Sequence, residues 1–439
     1  MDLENSSYPN RCRPATHSLA SLPQEGGGIC VHGRLVECGS DGGSVWDAQG
    51  RVRCAWHLAL PALRLGDLVE VEGEMAAGVL QVSALRVLAP ARREPVAGEW
   101  GRFGGAGAAR GGNLELRARV LQAVRAFFGE RGFLEVETPV LVRAPGQEAQ
   151  LQLFETAFHG RQSVSCCLVS SPEHHMKRLL GGGFGRIYQI TRAFRNGERS
   201  PHHNPEFAML EWYRAYASYE EIMEDVEALV AQVCLQVRGS TRIHYRGKPL
   251  DLAPPWPRIS VREAFLRYSG VDLRQCASRE VFFDRARTCC ASVDTADSWE
   301  EIFFKVFLEL VEPALDGGAP VLLKDYPVSM AALAKIAVGG EVAERVEAYV
   351  GGLELANGFT ELNDPQEQGR RFAAERQKRQ EQGYPLHPLD EEFLGMMEEG
   401  MPPAGGMALG VDRLVMLLAD AASIDEVIAF PFDVAEGCL

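Results

Sequence analysis

Residues 186–213 read RIYQITRAFRNGERSPHHNPEFAMLEWY, which is the most informative stretch of the chain. Two strand-like runs flank a polar loop, which predicts a long β-hairpin. Alternate side chains of a strand share one face, so Leu210 and Trp212 face away from a second set, namely Phe207, Met209, Glu211 and Tyr213. A carboxylate and a phenol on one face are costly to bury without partners. The second face is therefore either an exposed polar surface or a pocket that binds a cation.

An acidic cluster lies further along the chain, in residues 354–364, ELANGFTELND. Glu354 and Glu361 are an odd number of positions apart, so on a regular strand they point to opposite faces. A β-bulge at Asn357-Gly358 would let both face one site. Paired carboxylates beside phosphate oxygens are the ligands that Mg²⁺ prefers. The alternative is an acidic turn on the surface.

A glycine-rich strand followed by an apolar helix is predicted in residues 405–418, GGMALGVDRLVMLL. Arg413 falls in the first turn of that helix, where a cation is unfavourable unless an anion is also present. Arg413 is therefore either a phosphate contact or a solvated surface arginine. The chain has no G-x-x-x-x-G-K-[ST] motif, which excludes the Walker route to phosphate binding.

The pattern before residue 113 differs from the pattern after it. Residues 1–27 are rich in Ser, Pro and Gly and are predicted to be flexible, and residues 28–96 contain five short strand-like runs, as in an OB-type β-barrel or a small capping β-domain. Residues 97–112 are predicted to be a linker, and Asn113 to cap a helix. Residues 113–439 mix helices and strands without a βαβ rhythm, which predicts an α+β domain on a largely antiparallel sheet.

Composition limits the class of protein. The 439 residues are 46% hydrophobic and 24% charged, with a net charge of −15, which is typical of a globular protein and disfavours a generic nucleic-acid binder. The eleven cysteines include no C-x-x-C pair, so a zinc-thiolate framework is not expected. The N-terminus carries acids rather than the bases of a signal peptide, and no apolar run is long enough to span a bilayer. A cytoplasmic protein without membrane contact is expected.

The three segments described above occur in the order of motifs 2 and 3 of the class II aminoacyl-tRNA synthetases, and they resemble the lysyl branch of that class. Residues 132–139, GFLEVETP, resemble motif 1, the dimer-forming element with its proline. The resemblance covers residues 113–432. It implies an antiparallel-sheet catalytic domain flanked by helices, a homodimer, bent ATP, Mg²⁺ and lysine, or an isomer of lysine, as substrate.

By this resemblance, Arg195 and Arg413 are the catalytic residues, and Glu354 and Glu361 hold Mg²⁺. The ATP-binding residues implied are Arg195, Asn196, His203, Asn204, Phe207, Glu354, Leu355, Gly410 and Arg413. The residues implied for the amino acid are Ser171, Pro172, Glu173, Glu211, Tyr213, Asn357, Glu361 and Ala408. One position departs from the family pattern: motif 2 usually has Arg-x-Glu, whereas Arg195 is followed here by Asn196, Gly197 and Glu198. Either Glu198 or the backbone would then contact the adenine.

Within the lysyl branch, several features resemble the elongation factor P–(R)-β-lysine ligases. These are residues 170–180, SSPEHHMKRLL, residues 211–214, EWYR, the lack of a Gly-Gly-Ala-x-Ala-Arg-Pro-Phe run after Pro139, and Ala408 where lysyl-tRNA synthetases carry glycine. The barrel and Asn363 resemble the synthetases instead. Val45 and Arg53 stand where synthetases read the anticodon, so Trp46 or Trp56 would have to stack on a base.

The function favoured by these features is ATP-dependent activation of lysine or (R)-β-lysine as an aminoacyl-adenylate, followed by transfer to the acceptor lysine of elongation factor P. The alternative is a lysine–tRNA ligase that charges tRNA(Lys). A non-catalytic paralogue that binds lysine or its adenylate is disfavoured, because the chain keeps the residues that the resemblance implies for catalysis and metal binding. These are Arg195, Glu354, Glu361 and Arg413.

Overall fold

The computed structural model describes residues 12–47, 50–57, 61–92, 102–103 and 108–432, which belong to two units, Met1–Glu115 and Leu116–Leu439. Residues 1–11 of the predicted flexible segment, and residues 97–101 and 104–107 of the predicted linker, lie outside the described residues. Within the described ranges, the helices are all too short or too polar to cross a membrane.

The first unit contains a closed five-stranded barrel. Its strands are β1 (Gly26–Cys38), β2 (Gly42–Trp46), β3 (Arg51–Trp56), β4 (Leu68–Ala76) and β5 (Val79–Ala89), in the order β1-β2-β3-β5-β4. Strands β3 and β5 are parallel and the other pairs are antiparallel, an arrangement consistent with an OB-type barrel. The five predicted strand-like runs are therefore confirmed.

The barrel core corrects one prediction about its aromatic residues. Trp56 and Val45 are buried in the apolar core together with Val31, Val52 and Leu80. A buried tryptophan cannot stack on an unpaired base, so Trp56 is not the predicted platform. Arg53 is exposed on β3 and Trp46 is half-buried at the end of β2.

The cysteines of the described part of the chain are free thiols. In that part of the chain, one group of potential metal ligands has its ligand atoms within 4.8 Å of one another. It consists of Cys12, His32 and Glu70 in the first unit. The carboxylate of Glu70 already accepts two hydrogen bonds, each of 3.1 Å, from Arg86. Its oxygens are therefore engaged by an arginine, and these contacts alone do not define a metal centre.

Helix α1 (Ala108–Glu130) begins before the predicted cap at Asn113. The helix thus includes the last residues of the predicted linker, because glycines in its first turns do not stop a helix whose later turns are packed. The predicted apolar face is confirmed, and its buried residues are Leu116, Val120, Val124, Phe127 and Phe128.

The second unit is built on an eight-stranded mixed sheet, mainly antiparallel, which confirms the predicted α+β class. Its strands are β6 (Leu134–Glu135), β10 (Arg186–Phe194), β11 (Glu206–Ala215), β14 (Arg258–Ser260), β15 (Val321–Pro327), β16 (Val342–Val350), β17 (Leu353–Thr360) and β18 (Ala404–Gly410). Their order in the sheet is β14-β15-β16-β17-β18-β11-β10-β6, and two pairs, β6–β10 and β14–β15, are parallel. Smaller sheets contain β7 (Leu141–Val142), β8 (Glu155–His159) and β9 (Ser163–Leu168), and β12 (Arg242–Tyr245) and β13 (Lys248–Asp251).

Helices cover the sheet. They are α2 (Glu173–Gly181), α3 (Tyr219–Arg238), α4 (Val261–Ser269), α5 (Arg279–Ala286), α6 (Trp299–Val306), α7 (Pro365–Glu381), α8 (Glu391–Gly400) and α9 (Val411–Ala419). Helix α3 begins with a capping box in which Ser218 and Glu221 satisfy each other's backbone amides. One large core includes residues of α1, α3 and α9 together with Leu210 and Trp212 of β11, both fully buried. The opposite face of β11 carries Phe207, Met209 and Glu211, which lie outside this core.

The predicted β-hairpin is confirmed as β10 and β11, which pair in antiparallel register with Gln189 opposite Glu211. The predicted bulge in the acidic cluster is also present, but at a different place. The register between β16 and β17 shifts between Ala348–Ala356 and Tyr349–Glu354, so the extra residue is Leu355 rather than Asn357-Gly358. Gly358 is regularly paired with Val346 and Met407 and has no space for a side chain.

Candidate active site

A cavity of about 490 Å³ lies on the polar face of the sheet in the second unit. Its lining includes Phe207, Met209 and Glu211 of β11, which confirms that alternate residues of this strand face one site. Strands β17 and β18 are adjacent and contribute Asn357 and Ala408. The cavity has two chemically different sides, which we call the carboxylate side (Glu148, Glu173 and Glu211) and the arginine side (Arg195 and Arg413).

On the carboxylate side, Glu211 is 2% exposed and accepts one hydrogen bond on each of its oxygens. Ser171 Oγ donates to Glu211 Oε1 at 2.7 Å, and the Tyr213 hydroxyl donates to Glu211 Oε2 at 2.9 Å. Burial, followed by the negative charge of Glu173, raises the pKa of Glu211 to about 8. A cation that enters the cavity would stabilise the charged form of this buried carboxylate.

Lys177 of α2 lies beneath this region between two acids. It is 1% exposed, contacts Glu173, and places its Nζ 2.6 Å from Glu361 Oε2. Burial lowers the pKa of Lys177, but the charges of Glu173 and Glu361 outweigh it and hold the pKa above the ordinary value. Burial likewise raises the pKa of Glu361 to about 7, while Lys177 opposes that rise. Lys177 is therefore a permanent internal cation that neutralises part of the acidic cluster.

On the arginine side, two guanidinium groups face the cavity. The Arg195 guanidinium lies 5.2 Å from the centre of the Phe207 ring, and its buried Nε has no partner among the described residues. Arg413 lies in the first turn of α9, as predicted, and donates to the Glu354 carbonyl at 2.5 Å and to His203 Nε2 at 2.7 Å. Fixed cations and an unsatisfied donor are suited to an anion such as a phosphate.

His203 is held neutral beside these arginines. Burial, then the charges of Arg413 and Arg195, lower its pKa to about 4. Its Nε2 can therefore accept from Arg413, while Nδ1 lies 2.8 Å from Ser200 Oγ. His203 thus orients Arg413 without adding a charge that titrates near neutral pH.

Glu354 is an acidic side chain beside Arg413 on the arginine side. Its Oε2 is 3.7 Å from Arg413 Nη1, and burial together with the charge of Glu347 raises its pKa. Glu354 lines the cavity, whereas Glu361 is turned toward Lys177 and does not line it. The two predicted metal ligands are therefore not brought together in this structure.

The structure places most of the predicted site residues on the cavity. Those that line it are Ser171, Glu173, Arg195, His203, Asn204, Phe207, Glu211, Glu354, Leu355, Asn357, Ala408, Gly410 and Arg413. Asn204 is also fixed at both ends of its amide, because Nδ2 donates to the Glu206 carbonyl and Oδ1 accepts from the Phe432 amide.

Four predicted residues do not line the cavity: Pro172, Asn196, Tyr213 and Glu361. Asn196 bonds instead to the Leu153 carbonyl, and Tyr213 acts through Glu211. In the loop that departs from the family pattern, Gly197 has a φ of +81°, which favours glycine, and Glu198 lines the cavity 3.8 Å from Arg195. Glu198 is therefore positioned to replace the glutamate that the family pattern has at the position of Gly197.

Sequence reasoning missed several cavity residues, including Glu148, Arg345 and Phe359. Arg345 Nη2 donates to Glu347 at 2.6 Å, and Glu347 also accepts from the Tyr349 hydroxyl at 2.8 Å. Phe359 could have been predicted, because it lies two residues after Asn357 on one strand and alternate residues of a strand share a face. Glu148 and Arg345 gave no such signal, because their segments reach the cavity only through tertiary packing.

An antiparallel sheet with helices on its other face, and with acids and arginines converging on one cavity, is the catalytic architecture of the class II aminoacyl-tRNA synthetases. Residues 108–434 match the family described as tRNA synthetases class II (D, K and N), and the chain belongs to this family.

Named relatives refine the comparison. The chain is 43% identical over 321 residues to the lysine–tRNA ligase of Pelotomaculum thermopropionicum, which covers 72% of this chain and 63% of that protein. It is 43% identical over 316 residues to the enzyme of Moorella thermoacetica and 40% identical over 316 residues to that of Chloroflexus aurantiacus, each covering 72% of this chain and 64% of the relative. The chain therefore spans less than two thirds of the length of these relatives. Because these relatives are named lysine–tRNA ligases, the comparison supports the alternative acceptor, tRNA(Lys), better than elongation factor P.

Proposed function

We propose that this protein activates lysine with ATP as lysyl-adenylate and transfers the lysyl group to tRNA(Lys). The observation that carries the proposal is the buried Glu211 carboxylate, which shares one cavity with Arg195 and Arg413. A cation-binding carboxylate and an anion-binding arginine pair are what a lysine and a triphosphate require together.

In this mechanism, Glu211 binds the ε-ammonium of lysine, supported by Ser171 and Tyr213. Arg195 orients the lysine carboxylate and the α-phosphate of ATP. A carboxylate oxygen attacks the α-phosphorus, the bond from that phosphorus to the β-phosphate oxygen breaks, and pyrophosphate leaves. No covalent enzyme intermediate is needed, because orientation alone can lower the barrier by ~7–11 kcal/mol.

Arg413 would stabilise the triphosphate, held in place by His203 and the Glu354 carbonyl. Phe207 would stack on the adenine, and Asn204, Leu355 and Gly410 would complete its surroundings. Mg²⁺, when bound, neutralises phosphate charge. Glu354 would hold it, and Glu361 would join only by leaving Lys177.

The acceptor is tested directly by charging. In this proposal, residues 113–439 form the catalytic domain and the barrel of residues 28–96 contacts the tRNA. Wild-type protein, ATP and labelled lysine are incubated with total tRNA, with Arg195→Ala as the control. We expect lysyl-tRNA well above the control. Charging equal to the control would exclude this acceptor.

Elongation factor P is a second candidate acceptor, and Ala408 is the observation that favours it. Ala408 lines the cavity directly opposite Glu211 on the neighbouring strand, where its methyl group narrows the space for the amino acid. The test is incubation with ATP, elongation factor P and either lysine or (R)-β-lysine, followed by mass spectrometry. One added lysyl unit supports this candidate, and an unmodified factor with both amino acids excludes it.

A homodimer through the motif 1 segment completes the proposal. Leu134 of β6 and Leu141 of β7 are 49% and 47% exposed, and a second copy of the chain would cover this apolar surface. Light scattering after size exclusion tests this, and a mass of one chain at all concentrations excludes it.

A further inference from the structure

Glu148 is a half-buried acid on the carboxylate side to which no role has been given. Among the described residues, no other residue donates a hydrogen bond or forms an ion pair with its carboxylate. The side chain is folded over Gly146, since a Cβ on Gly146 would meet Glu148 Oε2 at 2.4 Å. A partly desolvated carboxylate without a cation is costly, which points to a ligand group that the protein itself does not supply.

The backbone around Glu148 is held firmly. Arg379 donates to the carbonyls of Glu148 and Leu151 at 3.2 and 2.8 Å, and the amide of Ala149 donates to Glu375 at 2.9 Å. Arg379 is 2% exposed, so these bonds are shielded from water. The position of Glu148 is therefore built into the fold.

The neighbours of Glu148 define its place in the cavity. Burial and then the charge of Glu173 raise its pKa, whereas His174 and Arg195 oppose the rise. Glu148, Glu173 and Arg195 line the same cavity, and the charges of the other two both act on Glu148. In the proposed function, the carboxylate side binds the amino groups of the substrate and Arg195 binds its carboxylate. Glu148 would then lie between these two parts of the substrate.

The other two acids on this side already have partners. Glu211 accepts from Ser171 and Tyr213, and Glu173 is paired with Lys177. Lysine brings two ammonium groups, and Glu211 can neutralise only the ε-ammonium. The charge of Glu173 is shared with Lys177, so the amino group next to the substrate carboxylate would still lack a full counter-charge.

We propose that Glu148 is a specificity-determining residue that binds the second ammonium group of a diamino acid, the one close to the substrate carboxylate. This inference rests on the proposed lysine activation. Glu148 lies in the stretch after Pro139 in which the sequence departs from the usual lysyl-tRNA synthetase pattern, so the contact would be a feature of this chain.

The test uses ATP–pyrophosphate exchange with the full chain. Glu148→Gln removes the charge at nearly constant size, Gly146→Ala displaces the carboxylate but keeps its charge, and Glu155→Gln is the matched control on an exposed acid of the same segment. Three constants are measured: the KM for lysine, the KM for ATP, and the inhibition constant of 6-aminohexanoate, which has the ε-ammonium and carboxylate of lysine but no second ammonium.

We expect Glu148→Gln to raise the KM for lysine at least about fivefold, because a charged hydrogen bond is lost. The KM for ATP and the inhibition constant of 6-aminohexanoate should change less than about twofold, and Gly146→Ala should also raise the KM for lysine. The inference is overturned if the KM for lysine rises less than fivefold in Glu148→Gln, or if all measured constants rise together. If 6-aminohexanoate does not inhibit wild type, the two KM values are compared alone. A rise of less than about fivefold for lysine, or a similar rise for lysine and ATP, then overturns the inference.

If Glu148→Gln does not fold, Gly146→Ala alone decides, and an unchanged KM for lysine overturns the inference. Failure of the proposed function is recognised separately, because wild-type protein would then show no lysine-dependent exchange at all.

Discussion

Glu211 and Ala408 lie directly opposite each other on the antiparallel strands β11 and β18. The side chain that would bind the ε-ammonium is therefore adjacent to the residue that narrows the amino-acid space. In the proposed function, charge recognition and isomer selection would therefore be coupled through one pair of neighbouring strands.

Glu211→Gln should weaken lysine binding at least about tenfold, because it removes the charge that faces the ammonium. The KM for ATP should stay within about twofold of wild type. Glu206→Gln on the same strand is the matched control, since Glu206 is exposed and pairs with Arg192 on the surface. Equal losses for lysine and ATP would show that Glu211 has another role.

The affinity for lysine should increase with pH. Burial and Glu173 raise the pKa of Glu211 to about 8, so this acid is mostly protonated at neutral pH in the free protein. A bound ammonium favours the carboxylate form, so lysine binding releases a proton and strengthens from about pH 6 to about pH 8. Titration calorimetry at pH 7 in two buffers of different ionisation enthalpy measures this release. Proton uptake, or no proton exchange, would contradict it.

Ala408→Gly should change the preference between lysine and (R)-β-lysine. Removing one methyl group from an amino-acid pocket is worth ~1–3 kcal/mol, or about 5- to 150-fold in relative kcat/KM. We expect the ratio of kcat/KM for lysine to that for (R)-β-lysine to rise. An unchanged ratio would show that Ala408 does not contact the amino acid.

Lys177→Met should destabilise the protein by about 3–5 kcal/mol, because Glu173 and Glu361 would be left buried without their cation. Arg178→Ala is the control: its pair with Glu392 is on the surface and should be worth less than about 1 kcal/mol. Urea unfolding followed by tryptophan fluorescence compares the two. Similar losses would mean that Lys177 is not an essential internal cation.

Local periodicity predicted the parts of the site that lie on single elements. The shared face of Phe207 and Glu211 follows from the geometry of a strand, and the position of Arg413 follows from the start of an apolar helix. The closed barrel also followed from alternating short runs. These features depend on neighbours in sequence, which the sequence displays directly.

Features that depend on partners from elsewhere in the chain were not predictable. The bulge occurs at Leu355 because β16 fixes the register, and Asn357-Gly358 only had the right local composition. Glu361 pairs with Lys177, and Trp56 is in the barrel core, because of contacts that no local pattern shows. Glu148 reaches the cavity through a segment without regular secondary structure.

The central claim is that this cavity forms lysyl-adenylate, and lysine-dependent ATP–pyrophosphate exchange tests it most directly. Wild-type protein is assayed with each of the twenty amino acids, with Arg195→Ala as the inactive variant and Arg192→Ala, on the exposed part of the same hairpin, as the matched control. The account predicts exchange with lysine that Arg192→Ala retains and Arg195→Ala loses by at least about a hundredfold. Exchange with another amino acid in preference to lysine, or equal exchange by wild type and Arg195→Ala, would contradict it.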